Sequence, residues 1–184
     1  MTSLIVLFGP PAAGKTTFAR TLADVVHIEF DALAGERGGV AVGATVASSL
    51  STWDYAKALA SDALRHGHPA VFDYLAVQPA FRQELRDLAD HAGVPAHLVI
   101  IDAPIATCLA RNDARNGQRL SLGMLRHLYR LYLAERERAA AEPWATVATH
   151  PASCEHTFAL IESAPHAPLA HRSPARDQLD LCVS

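Results

Sequence analysis

Apolar residues in this chain form short runs separated by longer amphipathic stretches. The run Leu4–Phe8 is followed by Gly9 and Pro10, so it predicts a first β-strand. Comparable runs predict further strands at 25–30, 70–74, 97–101 and 157–161. Residues 34–52 are rich in Gly, Ala and Ser, which predicts a mobile loop or a weak helix on the substrate side.

Helical spacing of apolar residues predicts the elements between these strands. A short helix follows the first glycine-rich turn, and a second covers 53–65, with Trp53 and Leu64 on one face. Pro79 opens a third helix and Gly93 ends it, while Pro104 opens a fourth that runs to about Asp113. Ser121 is a suitable cap for a long helix through Ala141, with a buried face of Leu122, Leu125, Tyr129 and Tyr132.

Strands that alternate with helices indicate an α/β fold. We expect a parallel sheet of about five strands in three layers, with helices on both faces. Residues 1–163 are expected to form one domain. Residues 164–184 contain three prolines among scattered polar residues and are expected to be a disordered tail.

Composition narrows the class of protein. The net charge is −3, from 16 basic and 19 acidic residues, which argues against a broad surface for long nucleic acid. Three widely spaced cysteines indicate a reducing compartment without a disulfide framework. No apolar segment reaches the length of a membrane span, and the N-terminal run lacks a basic region before it. We therefore expect a cytoplasmic protein with no membrane partner.

The stretch FGPPAAGKTTFA carries the strongest chemical signal. Gly9 is followed after four residues by Gly14-Lys15-Thr16, between a predicted strand and a predicted helix, which is the context of a P-loop. Glycines let several backbone N–H groups point into one concavity, Lys15 can reach the β- and γ-phosphates, and the Thr16 hydroxyl suits Mg²⁺. The expected nucleotide-binding residues are Gly9, Pro10, Pro11, Ala12, Ala13, Gly14, Lys15, Thr16 and Thr17. The chain has no NKxD-type guanine-reading motif, so ATP is favoured over GTP.

Three predicted strands end at aspartates: Asp31, Asp73 and Asp102. Ligands of open α/β sheets lie beyond the carboxyl ends of the strands, so these carboxylates can face one crevice. Asp31 is placed to accept the proton of an attacking hydroxyl, and Asp73 is a magnesium-side or substrate-side carboxylate. Asp102 has the position of a Walker B aspartate, but Ala103 replaces the glutamate that an ATPase uses, so we interpret Asp102 as a helix cap.

The segment LARNDARNGQR, followed by LSLGMLRHLYRLY, is the second informative stretch. Arg111 and Arg115 are four residues apart, and Arg119 follows an Asn-Gly turn. Arginine is a natural partner for phosphate oxygens that gather charge during transfer, although such a run can also be a solvated basic face.

With GPPAAGKTT, EFD and FDY, this segment resembles the P-loop kinase domain of polynucleotide 5′-hydroxyl kinases and the wider zeta-toxin-like group, over about residues 3–140. The resemblance implies a P-loop NTPase fold and an ATP- and Mg²⁺-dependent kinase. It implies that Lys15, Asp31 as general base and Arg115 as lid arginine are catalytic. It further implies that Arg111 lies near the nucleotide, that Thr16 holds Mg²⁺ and that Asp73 lies in the active site. Arg119 is a second candidate for binding the nucleotide, and Asp73 is a candidate metal ligand.

One position departs from that pattern. Polynucleotide kinases place an arginine three residues after the base aspartate to help grip the acceptor's 3′-phosphate, and here that residue is Ala34. Arg37 is nearby but out of register, and it is the candidate acceptor-side arginine. The acceptor thus stays open between a small molecule and a 5′-hydroxyl end of nucleic acid. An ATPase or nucleotide switch that transfers nothing is the alternative function.

Overall fold

The strands run in parallel in one sheet, whose order is β2-β3-β1-β4-β5. The computed structural model describes residues 1–36, 46–117 and 119–151, with only the backbone for 46–51. The strands are β1 Leu4–Phe8, β2 Val26–Glu29, β3 Ala70–Asp73, β4 Ala96–Asp102 and β5 Thr146–Pro151. The helices are α1 Lys15–Ala19, α2 Phe30–Glu36, α3 Val46–Arg65, α4 Pro79–Ala92, α5 Ile105–Asp113 and α6 Leu122–Ala141.

Alternate residues of the strands enter two hydrophobic cores on opposite faces of the sheet. Leu4, Val6 and Phe8 of β1 pack with residues of α3, α4 and α6, while Ile5 and Leu7 pack with residues of α1 and α5. This period of two follows from strand geometry, and strands covered on both faces need apolar residues at every position. The predicted three-layer α/β fold with five parallel strands is confirmed.

The predicted helix ends are largely confirmed. Pro79 is the first residue of α4 and Gly93 ends that helix with a positive φ of 68°. The Ser121 hydroxyl accepts a hydrogen bond from the backbone N–H of Met124 at 3.2 Å and so caps α6. Among the described helices, none combines the length and the apolar character that a bilayer crossing requires.

Several boundaries differ from the sequence predictions. β2 ends at Glu29, so Asp31 lies in the first turn of α2 instead of at a strand end, because Phe30 and Ala34 bury one face of that helix. α3 begins at Val46, so part of the 34–52 stretch is helical, while 37–45 lies outside the described residues. The last strand of the described part of the chain is β5. The predicted strand 157–161 and the predicted tail 164–184 also lie outside the described residues.

Two predictions about individual side chains, Leu122 and Asp102, are wrong. Leu122 is 50% exposed, whereas Leu125 and Tyr132 are buried as expected. Asp102 caps no helix, since Pro104 holds the cap position of α5. Its carboxylate instead accepts a hydrogen bond from the Tyr132 hydroxyl at 2.9 Å and pairs with Arg136 at 2.8 Å. Burial, followed by that hydrogen bond, raises the pKa of Tyr132 far above its usual range.

A buried ionic network joins α4 to α6. The side chain of Arg82 is fully buried, and its guanidinium donates to Glu142 at 2.6 Å, to Glu135 at 3.1 Å and to the carbonyl of Ala76 at 2.8 Å. Arg86 also pairs with Glu142. Removing one member of such a network leaves buried charge without its partner, which is far more costly than losing an exposed pair.

We therefore expect Arg82→Met to lower the free energy of unfolding by about 3–5 kcal/mol. The matched control is Arg65→Ala, which breaks an exposed pair with Asp62 at 3.4 Å and should cost less than about 1 kcal/mol. Urea unfolding followed by circular dichroism gives both values. Equal stability of the two variants would show that the network does not hold α4 and α6 together.

Candidate active site

The P-loop turns tightly between β1 and α1. Gly14 precedes α1 with a φ of 108°, a conformation that L side chains rarely adopt, and the Ala13 N–H donates to the carbonyl of Pro10 at 3.2 Å. A Cβ on Gly9 would lie inside the van der Waals distance of the Ile101 carbonyl oxygen in β4. Glycine at position 9 is therefore required by the close approach of the loop to the sheet.

Lys15 folds back over its own loop. Its ammonium donates to the carbonyls of Gly9 and Pro10, both at 3.0 Å. Burial lowers the pKa of Lys15, and the negative charges of Asp73 and Asp31 oppose that fall. The lysine is thus close enough to both carboxylates to interact with them electrostatically, although they come from different elements of the chain.

A cavity of about 530 Å³ opens beside this lysine. The sequence-predicted residues that line it are Pro11, Ala12, Gly14, Lys15, Thr16, Thr17, Asp31, Asp73, Arg115 and Arg119. The remaining lining residues are Glu29, Ala32, Tyr74, Leu75, Leu120 and Leu128. One cleft thus brings together the P-loop, α2, the end of β3 and the segment before α6.

The two predicted aspartates have different surroundings in this cleft. Asp73 is only 4% exposed at its side chain, where its Oδ2 lies 3.3 Å from Nε2 of His27. Burial among the cleft walls raises the pKa of Asp31; the Lys15 ammonium opposes this rise and the Asp73 charge adds to it. Asp31 is nevertheless an exposed residue, and screening by solvent limits this rise. A carboxylate with a raised pKa is a better proton acceptor than an ordinary surface aspartate.

The predicted arginines divide into two groups. Arg115 and Arg119 line the cavity from the segment between α5 and α6, and Arg119 also donates to the backbone carbonyl of Arg115 at 3.0 Å. Arg111 instead donates to the carbonyl of Ala13 at 2.6 Å, so it supports the P-loop from outside. The cavity lining also excludes three residues of the P-loop, namely Gly9, Pro10 and Ala13. The predicted acceptor-side arginine, Arg37, lies outside the described residues.

The expected metal has suitable oxygen ligands in this cleft. The Thr16 hydroxyl and the Asp73 carboxylate line the same cavity, and Glu29 adds a second carboxylate beside them. Hard oxygen donors of this kind are what Mg²⁺ takes from proteins, together with substrate phosphates. The residues present therefore fit a magnesium ion bound with a nucleotide.

The chain matches the family model of the AAA domain over residues 4–126. It belongs to that family. No curated protein matches it. The solved structures described next share less than 25% identity with this chain, so they inform the fold alone.

Three solved structures illustrate the similarity of fold. A chain of the Pnkp1/Rnl/Hen1 RNA repair complex has a TM-score of 0.65 and 16% identity, with 74% of this chain and 46% of that chain covered. A sugar kinase from Janibacter sp. HTCC2649 has a TM-score of 0.60 and 22% identity, with 89% and 92% covered. Kti12 from Chaetomium thermophilum, in complex with ADP-AlF3, has a TM-score of 0.62 and 18% identity, with 89% and 100% covered.

The chain thus spans less than half of the RNA repair protein and nearly all of the other two. The expected membership of a P-loop kinase group is confirmed as a statement about the fold.

Sequence reasoning missed several residues of the site in this AAA domain. Glu29 is two residues from His27 on β2, so a period of two would have placed both on one face. Tyr74 follows Asp73 in the FDY stretch and lines the cavity; burial raises its pKa, and the Asp31 charge adds to the rise. The amide of Asn112, which is 4% exposed, exchanges two hydrogen bonds with the backbone of Leu120 at 2.9 and 3.0 Å, and no sequence signal marks that role.

We expect Gly9→Ala to weaken nucleotide binding strongly and to cost about 1–3 kcal/mol of stability, because the new methyl group forces the loop away from β4. The control is Gly123→Ala, where the added Cβ meets no atom within 4 Å and alanine should stabilise α6 by about 0.5–1 kcal/mol. Thermal unfolding and titration with a fluorescent ATP analogue measure both effects. Undiminished nucleotide affinity in Gly9→Ala would contradict the tight-loop description.

Proposed function

We propose that this protein is an ATP- and Mg²⁺-dependent kinase that transfers the γ-phosphoryl group to a hydroxyl. The observation that carries this proposal is the meeting of Lys15, Asp31, Asp73 and Arg115 around one cavity beside a P-loop. A nucleotide holder needs the loop and the lysine, but it has no use for a proton-accepting carboxylate across the cleft. Phosphoryl transfer to an alcohol needs the loop and the lysine and also that carboxylate.

Each residue has a defined part in the proposed reaction. Backbone groups of the P-loop and Lys15 hold the phosphates, and Arg111 keeps the loop in shape through the Ala13 carbonyl. Thr16 and Asp73 would hold Mg²⁺, which neutralises phosphate charge when bound.

Asp31 accepts the proton as the acceptor oxygen bonds to the γ-phosphorus, and the bond from that phosphorus to the leaving ADP oxygen breaks. Arg115, with Arg119 beside it, stabilises the charge on the transferring group.

Transfer is favoured over plain hydrolysis by the state of Asp102. A β4 aspartate followed by glutamate would position water in an ATPase, but Ala103 follows here. Asp102 itself is occupied by Tyr132 and Arg136 and is not among the residues that line the cavity. The alternative function is a switch that hydrolyses the nucleotide without transferring phosphate. The similarity in fold to Kti12, which is in complex with ADP-AlF3, supports this alternative.

For the acceptor, the surroundings of Asp31 support a small molecule. Ala34 is 3% exposed and belongs to the core where α2 packs on α3, so the position of the phosphate-gripping arginine in polynucleotide kinases is filled by core packing here. Ala32, Leu75 and Leu128 add apolar surface to the same cavity. The sugar kinase likeness agrees with this choice, and the RNA repair likeness supports a nucleic-acid end.

Incubation with γ-labelled ATP and an acceptor panel tests the reaction. We expect label to move to a small hydroxyl compound among nucleosides, sugars and antibiotics, and not to a 5′-hydroxyl oligonucleotide. Label found only as free phosphate, with every acceptor, would assign the protein to the hydrolysing switches.

Asp31→Asn should reduce transfer by about 10²–10⁴-fold while ATP affinity stays near the wild-type value, because the amide cannot accept the proton. The raised pKa of Asp31 adds a second readout. The base works when ionised, so the wild-type rate should rise with pH through a pKa above that of an ordinary aspartate. This limb should be absent in the variant.

The matched control is Asp62→Asn, which alters an exposed carboxylate on α3. A normal transfer rate in Asp31→Asn would remove Asp31 from the mechanism.

A further inference from the structure

Three potential metal ligands lie together at the carboxyl ends of β2 and β3. His27 and Glu29 occupy alternate positions of β2, so both side chains stand on one face of the sheet. Asp73 is the register partner of Glu29 on β3. Hydrogen-bonded neighbouring strands therefore fix the relative positions of all three, in contrast to a chance cluster on a surface loop.

The distances fit a shared ion. One ligand atom from each of the three residues lies within 4.8 Å of the other two. The His27 Nε2 to Asp73 Oδ2 distance is 3.3 Å, which is longer than the roughly 2.7–2.9 Å of a charge-assisted hydrogen bond. Two ligands about 2.1 Å from a tetrahedral ion stand about 3.4 Å apart, so this spacing suits ligands of one metal.

Burial and charge also favour a cation here. The side chain of Asp73 is 4% exposed and that of His27 is 22% exposed, so the carboxylate is held in a partly dry site where a counter-charge has a large effect. Arg20 pairs with Glu29 at 3.3 Å, but its own side chain is 68% exposed, and a pair of this kind contributes little. Glu29 and Asp73 face the cavity, which leaves one side of the cluster open.

We propose that His27, Glu29 and Asp73 bind a divalent first-row transition ion, such as Mn²⁺ or Zn²⁺, on the protein itself and without a nucleotide. Imidazole nitrogen favours these ions, whereas Mg²⁺ prefers oxygen ligands alone. Three protein ligands with an open position is the arrangement of a reactive rather than a closed structural metal site. The site adjoins and overlaps the magnesium site proposed for ATP, because both include Asp73 and Glu29 lies beside both. The two differ in that His27 belongs only to the transition-metal site and Thr16 only to the magnesium site.

The test is a titration of the full chain with Mn²⁺, in which the six-line electron paramagnetic resonance signal of free Mn²⁺ falls as the ion binds. Neither ATP nor an acceptor is present, so the result does not depend on whether the protein is a kinase. We expect one ion per chain that a hundredfold excess of Mg²⁺ does not displace.

His27→Ala and Glu29→Gln should each weaken Mn²⁺ binding by about tenfold or more. The matched controls are His66→Ala and Glu137→Gln, which change exposed residues just after α3 and on α6 and should bind like the wild type. Thermal unfolding verifies that each variant is folded.

If the wild-type protein does not bind Mn²⁺ when nucleotide is absent, the proposal is overturned, and no variant is needed for that conclusion. Full displacement by Mg²⁺ would overturn it too, as would wild-type affinity in both His27→Ala and Glu29→Gln. Loss of binding in the control variants would also overturn it, since the ion would then lie elsewhere.

Discussion

The tight turn of the P-loop over the end of β1 brings the charge of Lys15 together with those of Asp31 and Asp73. Gly9 lies against the backbone of Ile101, where any side chain would collide. Because the loop closes there, the Lys15 ammonium interacts with both Asp31 and Asp73. The Asp73 charge raises the pKa of Asp31, and the Lys15 ammonium opposes that rise. The loop therefore shapes the nucleotide site and also favours the ionised form of the Asp31 carboxylate.

The P-loop is in turn supported by side-chain contacts between β1, α4 and α6 that sequence patterns do not predict. Phe8, the residue before Gly9, packs against the Tyr132 ring at 5.2 Å and under the Arg82 guanidinium at 5.6 Å. Arg82 binds Glu142 beyond the end of α6. The helix that follows the arginine segment is thereby fixed to the strand that precedes the P-loop. Arg115 and Arg119 reach the cavity from a support that is tied to the phosphate-binding element itself.

The parts that the sequence could predict are those governed by local rules. Buried strands appear as apolar runs, and the P-loop spacing is its own signal, so most of the sheet was predictable. β5 is an edge strand with alternating exposed positions, and pairing with β4 defines it, so no apolar run marked it. Asp31 was placed one element too early because tertiary burial of Phe30 and Ala34 starts a helix there. The His27–Asp73 approach joins residues 46 apart in sequence, which only sheet register determines.

Charge balance links the proposed site to a requirement for metal. The charged residues that line the described part of the cavity are Lys15, Arg115 and Arg119 on the basic side, and Glu29, Asp31 and Asp73 on the acidic side. These formal charges cancel, so an arriving nucleotide would bring phosphate charge that the protein alone does not neutralise. Repulsion between phosphates and carboxylates in a cleft of low dielectric is large. Divalent cations held at the end of β3 would resolve it, because each would compensate a phosphate and a carboxylate at once. The proposed metal dependence would thus follow from placing the proposed proton acceptor, Asp31, next to a phosphate-binding loop.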